Sequence, residues 1–278
     1  MTHLRDLIRT TPVAGDATWT CPSGYRQGRG AWGGLVVGAF LDAAQRLVGD
    51  PALEPRSLTS HLLAPVPAGE VHIDLTVLRE GSNTTTISAL MHSPEADREG
   101  APTGDAVVVA DAVVVFGSSR VADLDFTAPV WNRLEPPPAL SAGWSNVPVL
   151  DLPPGLAPEF LQNLRVRPVS GYPYGGGTDA EVIGWVSPPE GVVAHPTVLA
   201  ALADAWWPGA LVPLTGLRPA ATLAFSLDLV ALPTTDEPLL HRGRVVAAND
   251  GYVAETRELW SADGRLLSHN QQTIVIIR

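Results

Sequence analysis

The sequence predicts an α+β protein of two fused units, each a long buried helix wrapped by a curled antiparallel sheet, and three observations carry that expectation. Two almost wholly apolar helical stretches lie far apart in the chain, each is followed by several segments of strand character, and a proline-crowded stretch separates the two series. At 278 residues there is room for two modules of about 100–150 residues each. With 45% hydrophobic and only 17% charged residues, the chain can build a sizeable core without metal or disulfide, as a globular and not a disordered protein.

The first unit, 1–126, contains WGGLVVGAFLDAAQRLVGD (32–50). Gly33 and Gly34 precede a segment so rich in Ala, Leu and Val that its helix must be buried on most sides, and Gly49, Asp50 and Pro51 are stop signals. Strand text follows at 57–64, then at VHIDLTVLR (71–79), where Val71, Ile73, Leu75 and Val77 alternate with His72, Asp74 and Thr76 as a half-buried strand requires. NTTTISALMH (83–92) is joined to it through Glu80, Gly81 and Ser82 as a hairpin, and AVVVADAVVVF (106–116) completes the series. Residues 127–160 show neither helical nor strand period and read as a Pro-rich linker.

The second unit, 161–278, repeats the scheme. Without gaps, VVAHPTVLAALADAW (192–206) sets Ala194 opposite Trp32, His195 and Pro196 opposite Gly33 and Gly34, and Asp204 opposite Asp42. Strand text then covers 222–232, 239–249, 252–260 and 265–278. A long buried helix followed by antiparallel strands, written twice, is an internal repeat too long for a solenoid. A sheet that curls around such a helix buries it while its own outer face meets water, which is the hotdog arrangement.

A net charge of −11 repels polyphosphate, so nucleic acid is not an expected partner. Coenzyme A is not excluded, because one groove needs only a few arginines, with Arg79 and Arg165 as candidates beside the bland reading of solvated surface. The single cysteine, Cys21, has no disulfide partner and no metal-ligand spacing, so no cofactor is implied and a reducing compartment fits. The start MTHLRDLIRTTP lacks a signal-peptide core, and 106–117 is short and carries Asp111, so a soluble, cytoplasmic protein without a membrane span is expected.

Four stretches resemble the acyl-CoA thioesterase II family, whose chains carry two hotdog repeats: WGGLVVGAFLDAA its Gly-Gly helix start, SLTSHLLAPVPAG a strand and turn, VLREGSNTTTISA a hairpin and GRLLSHNQQTIVIIR the closing strand. Each is weak alone; their order within a repeat is the specific signal. The resemblance implies a role in lipid metabolism: hydrolysis of acyl-CoA by a water held among Asp, Thr and Gln, with no covalent intermediate. Carried over, these roles fall on Asp204, Thr222 and Gln272, with Ser226 and Gln271 as alternatives to the latter two. Leu35 departs from the Gln that often follows the Gly pair. The resemblance also suggests assembly into a homo-oligomer.

The chemistry is physically reasonable. A thioester is already activated and needs a positioned water, a base and oxyanion donors. Burial among Ala203, Ala205 and Trp206 should raise the pKa of Asp204 toward a useful range, although an acid on an apolar helix is often structural. The backbone N–H groups of Gly33 and Gly34, at a helix start, are the expected oxyanion donors, unless the glycines serve only close packing. Asp42, lacking Thr and Gln partners, reads as structural. Trp206 and Trp207 suggest a tunnel for short or medium acyl groups.

The stretch GRGAWG (28–33) matches GxGxxG, but neither a buried parallel strand before it nor alternating strands and helices after it supply the context of a nucleotide site. GxSxG, HExxH and a Walker lysine motif are absent. Two rivals share the fold: a non-catalytic acyl-CoA-binding protein, and a hydratase or dehydratase that would pair an Asp with a His such as His195.

Overall fold

The computed structural model describes residues 2–120, 130–153, 155 and 157–277, so the expected boundary between 126 and 127 lies outside the described residues. In chain order a short helix α1 (Leu4–Ile8) leads to β1 (Thr11–Val13), β2 (Asp16–Cys21), the small hairpin β3 (Arg26–Gln27) and β4 (Gly30–Ala31), and helix α2 (Gly33–Val48). The strands β5 (Glu54–Leu62), β6 (Gly69–Glu80), β7 (Thr84–Ala96) and β8 (Pro102–Gly117) follow. A single helical turn, α3 (Ala139–Ala142), and a 3-10 turn at Glu159–Asn163 precede β9 (Arg165–Ser170) and β10 (Glu181–Ser187). Helix α4 (Pro196–Ala203) then leads through a second 3-10 turn to β11 (Ala220–Leu229), β12 (Leu239–Asn249), β13 (Tyr252–Trp260) and β14 (Leu266–Ile276).

Twelve of these strands form one antiparallel sheet in the order β1-β2-β6-β7-β8-β5-β11-β14-β13-β12-β10-β9. The two halves meet where β5 pairs with β11, Thr59 lying opposite Ser226. Outward from that joint the two halves run in matching order, β5-β8-β7-β6 on one side and β11-β14-β13-β12 on the other. Each rim ends in a strand carrying proline, Pro12 in β1 and Pro168 in β9. Helices α2 and α4 pack against each other and against the sheet.

Helix α2 follows its sequence closely. Twelve consecutive residues from Gly33 to Ala44 are buried, as its composition demands, and it ends at Gly49, which takes the left-handed conformation (φ 63°) and donates its N–H to the Gln45 carbonyl. The expectation of a second long helix requires correction. Helix α4 has only eight residues, and Asp204 is its C-cap (φ −103°, ψ 12°) instead of a residue within it. Pro208 sets an outer limit, since it disfavours helical backbone at Trp207 and cannot donate to the Asp204 carbonyl, and that carbonyl is taken by the Trp32 indole N–H instead.

The strand pattern holds with local departures. Val71 and Ile73 are buried, but a bulge between Val77 and Arg79 ends the alternation and leaves Val77 exposed. Strands β1, β2, β9 and β10 were not anticipated. The described part of the linker, from Val130 onward, lies over one end of the sheet, with Leu134, Leu140, Trp144 and Val147 on Trp185, Leu240 and Trp260. The GxGxxG glycines serve the backbone. Gly28 (φ 65°) turns the β3–β4 hairpin, and a Cβ on Gly30 would lie 2.6 Å from the Val66 nitrogen. No helix among the described residues is long and apolar enough to cross a membrane.

Candidate active site

Three elements converge on Asp204. The early end of α4 leaves this carboxyl buried, 5% exposed, facing the inner side of β13 and β14. Gln272 on β14 is 1% exposed and donates through Nε2 to Asp204 Oδ1 at 2.9 Å and to Asn270 Oδ1 at 3.0 Å. Its Oε1 accepts from the Thr222 hydroxyl on β11 at 2.9 Å, so Asp204, Gln272 and Thr222 form one hydrogen-bonded row. Strand alternation decides between the two glutamines: Gln271 points to solvent, Gln272 inward. Of the two candidate hydroxyls, Thr222 is the one bonded to Gln272, whereas Ser226 gives its backbone carbonyl to Asn270 Nδ2 at 2.8 Å.

The other half of the chain supplies the opposing wall. A Cβ on Gly33 would stand 2.8 Å from Asp204 Oδ2, and one on Gly34 would stand 2.5 Å from the Ala201 carbonyl, so both glycines are required by the close approach of α2 to α4. Trp32, the N-cap of α2, donates Nε1 to the Asp204 carbonyl at 2.9 Å, and Phe160 stacks on its ring at 4.7 Å. At the start of α2 the Gly34 N–H, one of the donors a helix leaves without an intrahelical partner, bonds to the Asp204 carboxylate.

Burial pushes the Asp204 pKa up, and the pull is opposed by the Arg257 guanidinium, the Gln272 amide and the Gly34 backbone N–H, while Glu255 adds to the rise. Arg257 is 2% exposed and bridges Asp204 Oδ1 at 3.2 Å and Glu255 Oε1 at 2.8 Å. Glu255, fully buried, also accepts the Gly209 N–H at 2.7 Å. Behind this group His241 is buried and held neutral, its pKa pushed well down by burial and by Arg257, and its ring stacks on Trp206 at 5.4 Å. Arg257 and Glu255 escaped the sequence reading. The signal was their alternation with Val253 and Leu259, which sets them on the inward face of β13.

The remaining candidates lie elsewhere. His195 sits at the start of α4, where its Nδ1 meets the Thr197 hydroxyl at 2.9 Å, in the neighbourhood of Asp42 and not of Asp204. Asp42 is engaged by the Thr10 N–H and hydroxyl, Arg46 and Arg5, which hold its pKa down against its burial. Arg79 and Arg165 are exposed, and Leu35 is buried in the core. Cys21 is buried and free, its thiol pushed up to about 12 by burial.

Residues 21–117 match the acyl-CoA thioesterase N-terminal domain, and residues 134–276 match the acyl-CoA thioesterase C-terminal domain. No curated protein matches the chain significantly. Among solved structures, a conserved protein of unknown function with hot dog fold from Alicyclobacillus acidocaldarius is 24% identical, with a TM-score of 0.78 over 100% of this chain and 99% of that one. A putative thioesterase II from Thermobifida fusca YX is 22% identical, with a TM-score of 0.76 over 100% and 98% of the two chains. The acyl-CoA thioesterase II TesB2 from Mycobacterium marinum is 17% identical, with a TM-score of 0.70 over 99% and 97%. These neighbours share the fold, and the two domain matches, which together take in most of the sequence, show that the chain belongs to the acyl-CoA thioesterase family.

Proposed function

We propose that the protein hydrolyses acyl-CoA thioesters to the free acid and coenzyme A, with Asp204 as general base and no covalent intermediate. The observation that carries this reading is the row Asp204–Gln272–Thr222 set against the first turn of α2. Thr222 and Gln272 orient a water beside Asp204, which takes its proton as the oxygen adds to the thioester carbon. The resulting oxyanion accepts from the N–H groups at Gly33 and Gly34, which helical geometry leaves without intrahelical partners, the Gly34 N–H turning to it from Asp204 as that carboxylate takes up the proton. Collapse breaks the C–S bond, and the proton held by Asp204 passes to the departing thiolate. Desolvation of Asp204 makes it a stronger base than an exposed carboxylate, while Arg257 keeps enough of it ionised to act.

In this reading the chain consists of two hotdog units, 1–126 and 161–278, joined by the linker 127–160, with the base from one unit and the oxyanion donors from the other. Short or medium acyl groups are the proposed substrates. Support comes from two bulky side chains held next to Asp204 in sequence: Trp206 is seated where Gly184 lacks a side chain, and Trp207 Nε1 donates to the Gly171 carbonyl at 2.8 Å.

The test is thiol release from a series of acyl-CoAs of increasing length. Turnover is expected on short and medium chains, with Asp204→Asn lowering kcat by about 100-fold or more, as loss of a positioned base does. Tight acyl-CoA binding without thiol release would replace this reading with a binding protein. Hydration of an enoyl-CoA without thiol release would replace it with a hydratase.

A further inference from the structure

The matching order of strands on either side of the β5–β11 joint implies a second place built like the first. At Asp204 the start of α2, the end of α4, the start of β11 and the end of β5 come together. At the opposite end of the joint, the start of α4, the second half of α2, the start of β5 and the end of β11 enclose a cavity of about 660 Å³. That volume lies within the usual range of small-molecule sites.

The second place has kept the acid and lost its chemistry. Asp42 is saturated by Thr10 N–H at 2.7 Å, Thr10 Oγ1 at 2.8 Å, Arg46 Nε at 2.7 Å and Arg5 at 2.9 Å. On β14 the residue opposite Phe225 is Gln272, whereas on β8 the residue opposite the corresponding Leu58 is Val114, so no amide reaches Asp42 from that strand.

What remains is cationic on one side and apolar on the other. Two guanidiniums, Arg5 and Arg46, face the single charge of Asp42, leaving that group with one positive charge in excess. Arg56 adds a third guanidinium, paired with Glu54 at 3.1 Å, and the exposed Asp50, which accepts the Ala52 N–H, balances the lining as a whole, so the positive excess is local to Arg5 and Arg46. The excess is felt by His195 in the same wall: burial, Arg5 and Arg46 together push its pKa down to about 4 against the pull of Asp42. Leu53, Leu229 and Leu232 supply the apolar wall, which a free inorganic anion would leave unused.

We propose that this cavity binds an amphipathic carboxylate, a medium-chain fatty acid, with its head group on the Arg5–Arg46–Arg56 side and its chain along Leu53, Leu229 and Leu232. The inference rests on the thioesterase reading only for the source of the ligand, since a fatty acid is what hydrolysis at Asp204 releases.

Decanoate titrated calorimetrically into the full chain tests it. One site per chain is expected, unchanged in Asp204→Asn, and weakened about tenfold in both Leu232→Glu and Arg56→Ala, a tenfold change being about 1.4 kcal/mol. Decanol and inorganic phosphate, each lacking one half of the ligand, should bind at least about tenfold more weakly. Bound decanoate should also raise the His195 pKa, read from its ring resonances. Absence of binding, binding indifferent to both cavity variants, or binding lost in Asp204→Asn would overturn the proposal. Because no step depends on turnover, a failed thioesterase assay leaves this result interpretable, and the reverse holds.

Discussion

Arg257 sets the acid–base balance at Asp204, because among the described residues it is the cation that touches this buried carboxyl. Removing it in Arg257→Met would leave Asp204 and Glu255 as buried acids without their common partner, a loss of about 3–5 kcal/mol of stability measurable by urea denaturation. The pH dependence should move as well. As the proposed base, Asp204 has to be ionised, so activity is expected to fall as pH drops through its raised pKa. With the guanidinium gone that pKa rises further, so the acid limb of kcat against pH shifts upward, and Arg257→Lys should restore much of the original position. Gln272 and Gln271 provide a paired comparison: Gln272→Ala is expected to lower kcat by about 10-fold or more, and Gln271→Ala to leave it unchanged, because alternation points only one of them inward.

At the scale of elements, the join between α2 and α4 is the most demanding. Gly33→Ala would place a methyl 2.8 Å from Asp204 Oδ2 and 3.0 Å from the Leu62 side chain, so the carboxylate must move. A displacement of about 1 Å is enough to cost roughly 100-fold in turnover, so kcat should fall steeply while the melting temperature drops little. Gly34→Ala meets the Ala201 backbone carbonyl at 2.5 Å, which cannot rotate away, and is expected to cost about 1–3 kcal/mol of stability in thermal unfolding. Much of this element-level picture was legible in sequence. The apolar run of α2 with its Gly49 stop was readable, as was strand β6 up to its bulge, and strands β12 and β13 match their expected limits. The length of α4 was not, because the apolar text runs on through Ala205 and Trp206 while the helix ends at Ala203, short of the limit that Pro208 sets. Nor were Arg257 and Glu255, since charged residues in strand text ordinarily mark a solvated face, and only the surrounding Val253 and Leu259 fix which way they point.

For the whole molecule, the matching strand order of the two halves accounts for the proposed division of labour and for its asymmetry. Two similar halves place a helix start opposite an acid twice, yet Gln272 and Thr222 accompany one acid and two arginines the other. Resemblance named Asp204, Thr222 and Gln272 by residue type, and the fold brings the three into one hydrogen-bonded row, whereas the cavity beside Asp42 stayed hidden because its wall is assembled from four separate elements. The two rims of the sheet have a consequence of their own. Pro12 and Pro168 each remove a donor from the outermost strand, so neither rim offers a full ladder to a passing chain. Replacing both with valine is expected to promote edge-to-edge association, read as a concentration-dependent sedimentation coefficient greater than that of the parent protein. With a donor missing at each rim, lengthening of the sheet from copy to copy into a fibre is disfavoured at both of its ends.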